Sequence, residues 1–588
     1  MPHPILAAIV AALGLVAGPS LASVPEPFGH ACTVEGDVRF CPTVDIAERV
    51  PSWDGTPIDA DVTMPAHGKG PFPAIVMIHG WGTDKTQFEA TTPGGYDNVS
   101  FAERGYLVVN LSMRGFGRSC GRYQGVNYAT SPGCEKGWLH LADHRYEARD
   151  VQHLLGLLAD QGLIRGSVAV TGGSYGGLTT LELAYLRSRI RLPDGSFRSW
   201  RSNAGRPMRI AAAWAVVPAS DLVSALAPNG RFFTDYPWTG WLSRFPIGVP
   251  QEAATTGLYL AGLFTGFVAP AGVDPGADLT TWYNALMAGE PWTAELQDYA
   301  DEIYRYHGAS SIPGRPSPLL LQSGWTDDVF PPRESLRPYV TLRALFGRDF
   351  PVSLQLGDVG HTRGSNRANA SEYLRDEGVA FLDHWMLGKP GGPRPGAVTA
   401  FTQTCPSPTP AEGPFQARSF GRLADGSIRF GGDDPRTIPS TGGDPALGKA
   451  FDPVFGTSDA CKTVAAQAPP GTATYDYTSP GVLMLGLPEV RARIRTTGDG
   501  GMIAARLWHV MPDGQMRLVS RGIYRLDDDE TGWIRFQLNG NGYRFPAGDT
   551  IRMELAPNDA PQYRKSNLVF SVDVSHVRIT LPTRSTSP

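Results

Sequence analysis

Short, continuous apolar runs alternate with amphipathic stretches along much of the chain. The apolar runs lie at 73–78, 106–110, 168–170, 210–218, 317–324 and 351–357. Between them, the spacing of apolar residues predicts helices over 146–161, 178–187, 333–345 and 371–386. Strands that are buried on both faces and alternate with helices are typical of a mostly parallel sheet. The pattern therefore predicts an α/β fold, with the run at 351–357 as the last strand of its sheet.

Three stretches depart from this alternation. Residues 24–70 show the pattern of antiparallel strands, and the alternating positions at 57–65 predict a half-exposed strand. Between 218 and 317 the strand pattern stops, while aromatic residues are dense at 231–245 and residues 257–268 are apolar with helical spacing. Such an insertion is typically a cap over the ligand edge of a sheet, although an extra pair of scaffold helices fits the pattern too.

The changes of pattern set the predicted domain boundaries. The first part of the α/β domain covers 23–225, the helical cap insertion covers 226–312, and the second part of the α/β domain covers 313–390. After the Pro- and Gly-rich linker at 388–396, short alternating runs predict an all-β jelly-roll sandwich over 397–588.

The N-terminus has the pattern of an export signal. Residues 5–18 are apolar and small residues follow, so we predict a signal peptide over 1–22 with cleavage after Ala22. A buried helix or a membrane anchor is the alternative, but the apolar stretch is short for a span and no later stretch is long enough. We therefore expect a secreted or periplasmic protein without a membrane span.

Composition narrows the classes of partner. The 588 residues carry a net charge of −5, which gives no electrostatic argument for nucleic acid. The six cysteines lack the C-x-x-C spacing of a zinc site. Proximity along the chain suggests local disulfides, although other connectivities fit six cysteines in an exported protein. The proposed pairs are Cys32–Cys41, Cys120–Cys134 and Cys405–Cys461.

The stretch with the clearest chemistry is Gly172-Gly173-Ser174-Tyr175-Gly176, a G-x-S-x-G sequence between a predicted strand and a predicted helix. A sharp strand-to-helix turn holds such a serine in a strained conformation with its hydroxyl exposed, and the helix N-terminus favours developing negative charge. The motif also occurs by chance in glycine-rich connections. A second copy contains Ser119, but no predicted buried strand adjoins it and no predicted helix follows.

A nucleophilic serine needs a base, and the base needs an acid that orients it. Ser174, Asp327 and His361 occur in the order serine, acid, histidine, and each follows a predicted buried strand. This order is that of α/β-hydrolases, and it places all three side chains at the carboxyl edge of the sheet. Asp328 is an alternative acid, whereas Asp358 is too close in sequence to His361 to orient its ring.

Attack on an acyl carbonyl creates an oxyanion that needs two hydrogen-bond donors. We expect the backbone N–H of Tyr175 and, from the loop after His79-Gly80, the backbone N–H of Trp81. His79 itself is expected to support that loop rather than to accept a proton. No P-loop, dinucleotide fingerprint or cluster of metal ligands is found in the sequence, so no cofactor or metal is expected.

With these residues placed, the chain resembles the family of X-Pro dipeptidyl-peptidases, cocaine esterase and α-amino-acid ester hydrolases. The resemblance rests on the turn at 172–177, the strand and loop at 105–119, the acid turn at 324–327, and the β-rich stretches 505–514 and 548–555. It implies an α/β-hydrolase with a C-terminal jelly roll. Typical members use a Tyr hydroxyl as an oxyanion donor, whereas the corresponding loop here, His79-Gly80-Trp81-Gly82, contains no Tyr.

The sequence therefore predicts an exported serine hydrolase that cleaves small acyl esters through a triad and an acyl-enzyme intermediate. An Xaa-Pro dipeptidyl-peptidase acting on short peptides is the first alternative. It would need a buried carboxylate for the substrate amine, and no clear choice emerges among the cap acids Asp235, Glu252, Asp274 and Asp278. A secreted binding protein that uses its β-sandwich is the second alternative. The oligomeric state is left open.

Overall fold

The computed structural model describes residues 26–89, 95–231, 247–456 and 458–585. Two sequence predictions lie outside these ranges. One is the export signal at 1–22. The other concerns aromatic residues of the cap segment, namely Phe232, Phe233, Tyr236, Trp238, Trp241 and Phe245.

The strands before residue 420 belong to one large sheet and three small two-stranded ribbons. In chain order they are β1 (Thr33–Glu35), β2 (Val38–Cys41), β3 (Val50–Pro51), β4 (Pro57–Ile58), β5 (Ala60–Pro65), β6 (Phe72–Ile78), β7 (Leu107–Leu111), β8 (Arg122–Tyr123), β9 (Val126–Asn127), β10 (Ile164–Gly173), β11 (Arg189–Arg191), β12 (Phe197–Ser199), β13 (Arg209–Val216), β14 (Leu319–Gly324), β15 (Val352–Gly357), β16 (Val398–Ala400) and β17 (Phe415–Ala417).

The α-helices of the described residues lie mostly between these strands. They are α1 (Asn98–Glu103), α2 (Glu147–Asp160), α3 (Tyr175–Leu186), α4 (Leu222–Leu226), α5 (Glu252–Thr265), α6 (Leu279–Ala288), α7 (Ala294–Tyr306), α8 (Arg333–Phe346), α9 (Ala368–Leu387) and α10 (Pro445–Ala450).

The large sheet has a parallel centre with antiparallel edges. Within the described residues its order is β1-β2-β5-β7-β6-β10-β13-β14-β15-β16-β17, and the pairs from β7 to β16 are parallel. The central strands are almost fully buried because helices cover both faces, as their continuous apolar sequences predict. The predicted α/β fold is confirmed.

Two details of this sheet differ from the sequence predictions. Strand β5 is buried rather than half-exposed. Lys85 pairs with Asp61 in the strand and with Asp59 just before it, at 2.5 and 2.8 Å, and the Asn98 amide of α1 donates to the Thr63 hydroxyl at 2.7 Å. The prediction that 351–357 supplies the last strand is wrong, since β16 and β17 extend the sheet beyond the Pro/Gly linker. Both are short strands that lack a long apolar run. The exact boundary between the domains stays a prediction.

The C-terminal part is all-antiparallel. Its strands are β18 (Gly426–Gly432), β19 (Arg436–Pro439), β20 (Thr463–Ala465), β21 (Ala473–Gly486), β22 (Glu489–Thr497), β23 (Gly501–Val510), β24 (Gln515–Leu526), β25 (Thr531–Gln537), β26 (Asn541–Ala556) and β27 (Ser571–Arg584). They pair in the order β20-β24-β23-β26-β21-β27-β22-β25, with β18 and β19 on β27. They enclose their own apolar core, as the predicted β-sandwich requires.

Three disulfides connect the pairs expected from sequence proximity, Cys32–Cys41, Cys120–Cys134 and Cys405–Cys461. Disulfides of this kind are compatible with an exported protein. Among the helices of the described ranges, none is long and apolar enough to cross a membrane.

The buried cation beside β5 gives a test of stability. Replacing Lys85 by Met should lower the free energy of unfolding of the α/β domain by about 3–5 kcal/mol, because two buried carboxylates lose their partner. Urea unfolding followed by fluorescence measures the change. Lys389→Met is the matched control, since Lys389 pairs with Asp383 at 3.0 Å but is half exposed, and it should cost less than about 1 kcal/mol. Equal losses in the two variants would contradict this account of β5.

Candidate functional site

Ser174 occupies a strained turn between β10 and α3. Its φ of 58° and ψ of −115° lie in a region that side chains with a Cβ rarely adopt. Neighbouring chain passes so close that the flanking positions must be glycine. A Cβ on Gly172 or Gly176 would come within 2.5 or 2.0 Å of the Ile78 carbonyl oxygen at the end of β6. The turn is therefore held by the ends of the central strands.

The structure brings Ser174, His361 and Asp327 together. His361 Nε2 lies 2.7 Å from Ser174 Oγ, and its Nδ1 lies 2.6 Å from Asp327 Oδ2. The second carboxylate oxygen, Oδ1, accepts hydrogen bonds from the backbone N–H groups of Val329 and Phe330 at 3.0 and 2.9 Å. Asp327 is fully buried, and it follows β14 as His361 follows β15. All three side chains thus meet at the carboxyl edge of the parallel strands.

The alternative acids have other partners. Asp328 Oδ2 pairs with Arg363 Nε at 2.5 Å and faces Arg521 at 3.7 Å. Asp358 Oδ1 accepts hydrogen bonds from the Thr326 hydroxyl at 2.5 Å and the Ser365 N–H at 3.0 Å. Neither carboxylate reaches the His361 ring, so Asp327 alone of the three is placed to orient it.

Ser119 and His79 have structural roles. The Ser119 hydroxyl is fully buried, donates to the Ser112 carbonyl at 2.7 Å and accepts from the Asp59 N–H at 2.8 Å. His79 Nε2 accepts from the Met113 N–H at 2.8 Å, so its Nδ1 carries the proton and donates to the Gly80 carbonyl at 2.7 Å. Burial lowers the pKa of His79 to about 4, which keeps this ring neutral.

Two backbone N–H groups beside Ser174 are free to bind a ligand oxygen. Among the described residues, the N–H groups of Tyr175 and Trp81 have no hydrogen-bond acceptor. The Gly80 N–H is different, because it donates to Gln87 Oε1 at 2.7 Å. A Cβ on Gly80 would lie 3.9 Å from the Ser174 Cβ, so this loop passes directly beside the serine. The Trp81 indole N–H donates to the Leu258 carbonyl at 2.8 Å and fixes the loop to α5.

A cavity that is partly open to solvent extends from Ser174 under helices α4 to α7. Its described walls carry no charged side chain. They are formed by apolar and aromatic residues that include Leu222, Val223, Leu226, Leu258, Tyr259, Trp282, Tyr283, Leu286, Leu296, Ile303 and Phe330. The sequence indicated a cap, but it did not identify these residues, because their helices converge only in three dimensions.

One group of metal-ligating side chains occurs in the described ranges. Oxygen and nitrogen atoms of Asp143, Glu302 and His307 lie within 4.8 Å of one another. The guanidinium of Arg145 contacts both carboxylates, at 2.5 Å from Asp143 and 2.6 Å from Glu302. An internal cation is therefore already paired with both carboxylates, and none of these residues lines the cavity.

Two family models match the chain in order. The X-Pro dipeptidyl-peptidase (S15 family) model matches residues 54–189, and the X-Pro dipeptidyl-peptidase C-terminal non-catalytic domain model matches residues 481–573. The first range includes the Ser174 turn and the Trp81 loop. No curated protein matches the sequence with significance.

Solved structures share the whole architecture. A CocE/NonD family hydrolase from Staphylococcus aureus is 14% identical with a TM-score of 0.58, over 93% of this chain and 94% of that chain. An α-amino acid ester hydrolase is 15% identical with a TM-score of 0.57, over 97% and 99%. An aminopeptidase from a marine sediment Thaumarchaeota archaeon is 15% identical with a TM-score of 0.55, over 96% and 99%.

At these identities the structural neighbours show the fold alone. The family models show which known domains the two matched ranges resemble. The expected resemblance is confirmed in both parts of the chain. Residues 54–189 and 481–573 thus match the models of the catalytic and C-terminal domains of X-Pro dipeptidyl-peptidases, in a chain whose fold is an α/β-hydrolase sheet followed by a β-sandwich.

Proposed function

We propose that this protein is a serine hydrolase that cleaves esters of apolar carboxylic acids. Ser174 attacks the acyl carbonyl while His361 Nε2 takes the hydroxyl proton. His361 then delivers that proton to the leaving alcohol, and water releases the acyl-enzyme by the reverse sequence. Asp327 holds the imidazole in the tautomer that leaves Nε2 free to accept. No metal or cofactor takes part in these steps.

The oxyanion is assigned to the backbone N–H groups of Tyr175 and Trp81. Their lack of an internal acceptor supports this assignment, since a pre-oriented donor without a partner costs no reorganisation during reaction. The loop at 79–82, which corresponds to the one that carries the Tyr in typical family members, contains Trp81 and no Tyr. Its indole N–H is engaged with α5, so only its main chain is available to substrate.

The electrostatics of His361 suit a general base. Burial alone would lower the pKa of His361, but the charge of Asp327 and the hydrogen bond to it outweigh burial and raise the pKa above 6.5. The ring must be neutral to accept the serine proton. Activity is therefore expected to be present above the raised pKa and to be lost as the pH falls through it.

The observation that supports this substrate class is the uncharged cavity above Ser174. A dipeptide substrate carries an ammonium group, which needs a carboxylate in a buried site. Among the described cap acids, Asp274 accepts from the Trp138 indole at 3.0 Å and Asp278 caps α6 through the Thr281 N–H at 3.0 Å. Glu252 begins α5, and none of the three lines the cavity. Asp235 lies outside the described residues.

The Xaa-Pro dipeptidyl-peptidase remains the second candidate, because the family model that matches the catalytic domain has that description. The third candidate, a binding protein that uses the jelly roll, is less favoured because the Ser174, His361 and Asp327 atoms lie at hydrogen-bond distances. Secretion or periplasmic location, with small acyl esters as partners, completes the proposal.

Ser174→Ala should remove nearly all ester hydrolysis, on the order of 10⁴-fold or more in kcat, with the unfolding temperature unchanged. A fluorophosphonate should label the wild-type protein at Ser174, as peptide mapping can determine. Ser119→Ala is the matched control from the second G-x-S-x-G sequence, and its folded fraction should keep wild-type kcat. Labelling at Ser119 would disprove the assignment.

Asp327→Asn should lower the pKa of His361, since the variant loses the negative charge that raises it. The acid limb of the kcat/KM profile should then move to lower pH, while kcat falls by about 10⁴-fold because the imidazole tautomer is no longer fixed. Stopped-flow assays across the pH range measure both effects. An acid limb that stays in place, or moves to higher pH, would rule out Asp327 as the partner of the base.

An octanoate or benzoate p-nitrophenyl ester should exceed Ala-Pro or Gly-Pro p-nitroanilide in kcat/KM by at least roughly 10²-fold, a difference of about 2.7 kcal/mol in the barrier. The cavity gains contact with an apolar acyl group and offers nothing to an ammonium. Faster cleavage of either anilide would contradict the esterase proposal and favour the dipeptidyl-peptidase.

A pair of variants connects this preference to the cavity. Leu286→Trp fills part of the wall on α6 and should lower kcat/KM for the octanoate ester by about tenfold, an effect the size of one or two lost methylene contacts, with the acetate ester little changed. Leu260 lies on α5 and is 57% exposed, so Leu260→Trp should leave kcat/KM unchanged for both esters.

A further inference from the structure

Asp328, the neighbour of the proposed catalytic acid, lies between two buried arginines. Arg363 comes two residues after His361 and pairs with Asp328 Oδ2 at 2.5 Å through Nε. Arg521 comes from β24 of the jelly roll, and its Nε faces the same oxygen at 3.7 Å. All three residues are at most 2% exposed. One carboxylate thus joins the acid loop, the histidine loop and the C-terminal domain.

The network continues into the jelly roll. Arg521 Nη1 lies 3.3 Å from Asp559 Oδ2, and Arg521 Nη2 donates to the Phe451 carbonyl at 2.5 Å. Asp559 Oδ1 accepts from Arg506 Nη1 at 3.1 Å, and Arg506 forms a two-pronged pair with Glu554 at 2.8 and 3.0 Å. These buried charges alternate in sign, so each has a partner close by, as a desolvated ion needs. These contacts fix the position of the Arg521 guanidinium in the jelly roll.

A neutral contact reinforces the same junction. Gln562, beyond β26, donates to the Asp328 carbonyl at 3.2 Å and lies 3.3 Å from the Gln251 side chain. Gln251 caps α5 and donates to the Val329 carbonyl at 3.3 Å. The turn that carries Asp327 therefore contacts the jelly roll through Asp328 and the start of the cap helix α5 through Val329.

We propose that Arg521 and Gln562 are positioning residues, through which the jelly roll holds Asp327 and His361 in register. This inference rests on the proposed triad. The 2.6 Å bond from His361 to Asp327 joins two separate loops, and Arg363 with Asp328 forms the only other ionic link between those loops in the described residues. Arg521 faces the Asp328 carboxylate of that link from the jelly roll and is itself paired with Asp559. The domain described as non-catalytic in the family thus sets the geometry of the catalytic pair.

Arg521→Met should lower kcat by at least tenfold with little change in KM, because the acid and the base lose their register while the cavity is untouched. Because the contact with Asp327 raises the pKa of His361, loss of the register should also lower that pKa and move the acid limb of kcat to lower pH. Arg506→Met is the matched control. It breaks an equally buried pair, but it reaches Asp328 only through Asp559 and Arg521. It should lower the unfolding temperature comparably and leave kcat within about twofold.

All rates are expressed per fluorophosphonate-reactive Ser174, so that loss of folded protein does not count as loss of kcat. If Arg521→Met does not fold, Gln562→Leu tests the neutral contact and should lower kcat about threefold or more at constant KM. A double-mutant cycle adds a second readout, because Arg521→Met should cost little further in an Arg363→Met background if both act through Asp328.

The outcomes separate the two proposals. If the wild-type protein is not labelled at Ser174, both the proposed triad and this inference are wrong. Suppose instead that Arg521→Met, or Gln562→Leu in its place, is labelled at Ser174 and keeps the wild-type kcat and acid limb. The positioning role is then wrong, and the triad is unaffected. An equal loss of kcat in Arg506→Met assigns the effect to stability alone and overturns it too.

Discussion

The close approach of three chain segments at Ser174 is the constraint on which the rest of the site depends. Strand β10 ends between β6 and β13, and α3 begins at once, so Ser174 must adopt a φ of 58°. Residues with a Cβ at 172, 176 or 177 would meet backbone oxygens within 2.5 Å. Strain at one residue is tolerated because the packed strands on either side leave it no alternative.

This turn also aligns the donors around the serine. The same geometry that pushes the hydroxyl out of the sheet leaves the Tyr175 N–H at the start of a helix, where no carbonyl of the described residues accepts from it. On the other side, Gly80 allows the loop of Trp81 to lie beside Ser174 while Gln87 occupies the Gly80 N–H. The Gly80 N–H is thus engaged within the loop, and the next N–H, that of Trp81, is the one proposed to bind the oxyanion.

The cap and the jelly roll both act on loops of the α/β sheet. The cap contributes apolar walls and fixes Trp81 through the Leu258 carbonyl. The jelly roll contributes Arg521 and Gln562, which contact the acid turn. Buried ionic contacts between domains require accurate geometry, because an unpaired charge there is costly. The relative position of the domains therefore contributes to the proposed geometry of the site.

The amino-acid sequence by itself determined the α/β and all-β fold classes, since continuous apolar runs and alternating runs reflect which strand faces are buried. It also singled out Ser174, Asp327 and His361 from a short motif and from their order along the chain, and the structure brings these three side chains together. Tertiary structure decided what depends on contacts between distant segments. Examples are the burial of β5 and the extra strands β16 and β17, which carry no strong pattern of their own. The apolar cavity and the Asp328 network belong to the same class, because residues from helices and domains far apart in sequence meet there only after folding.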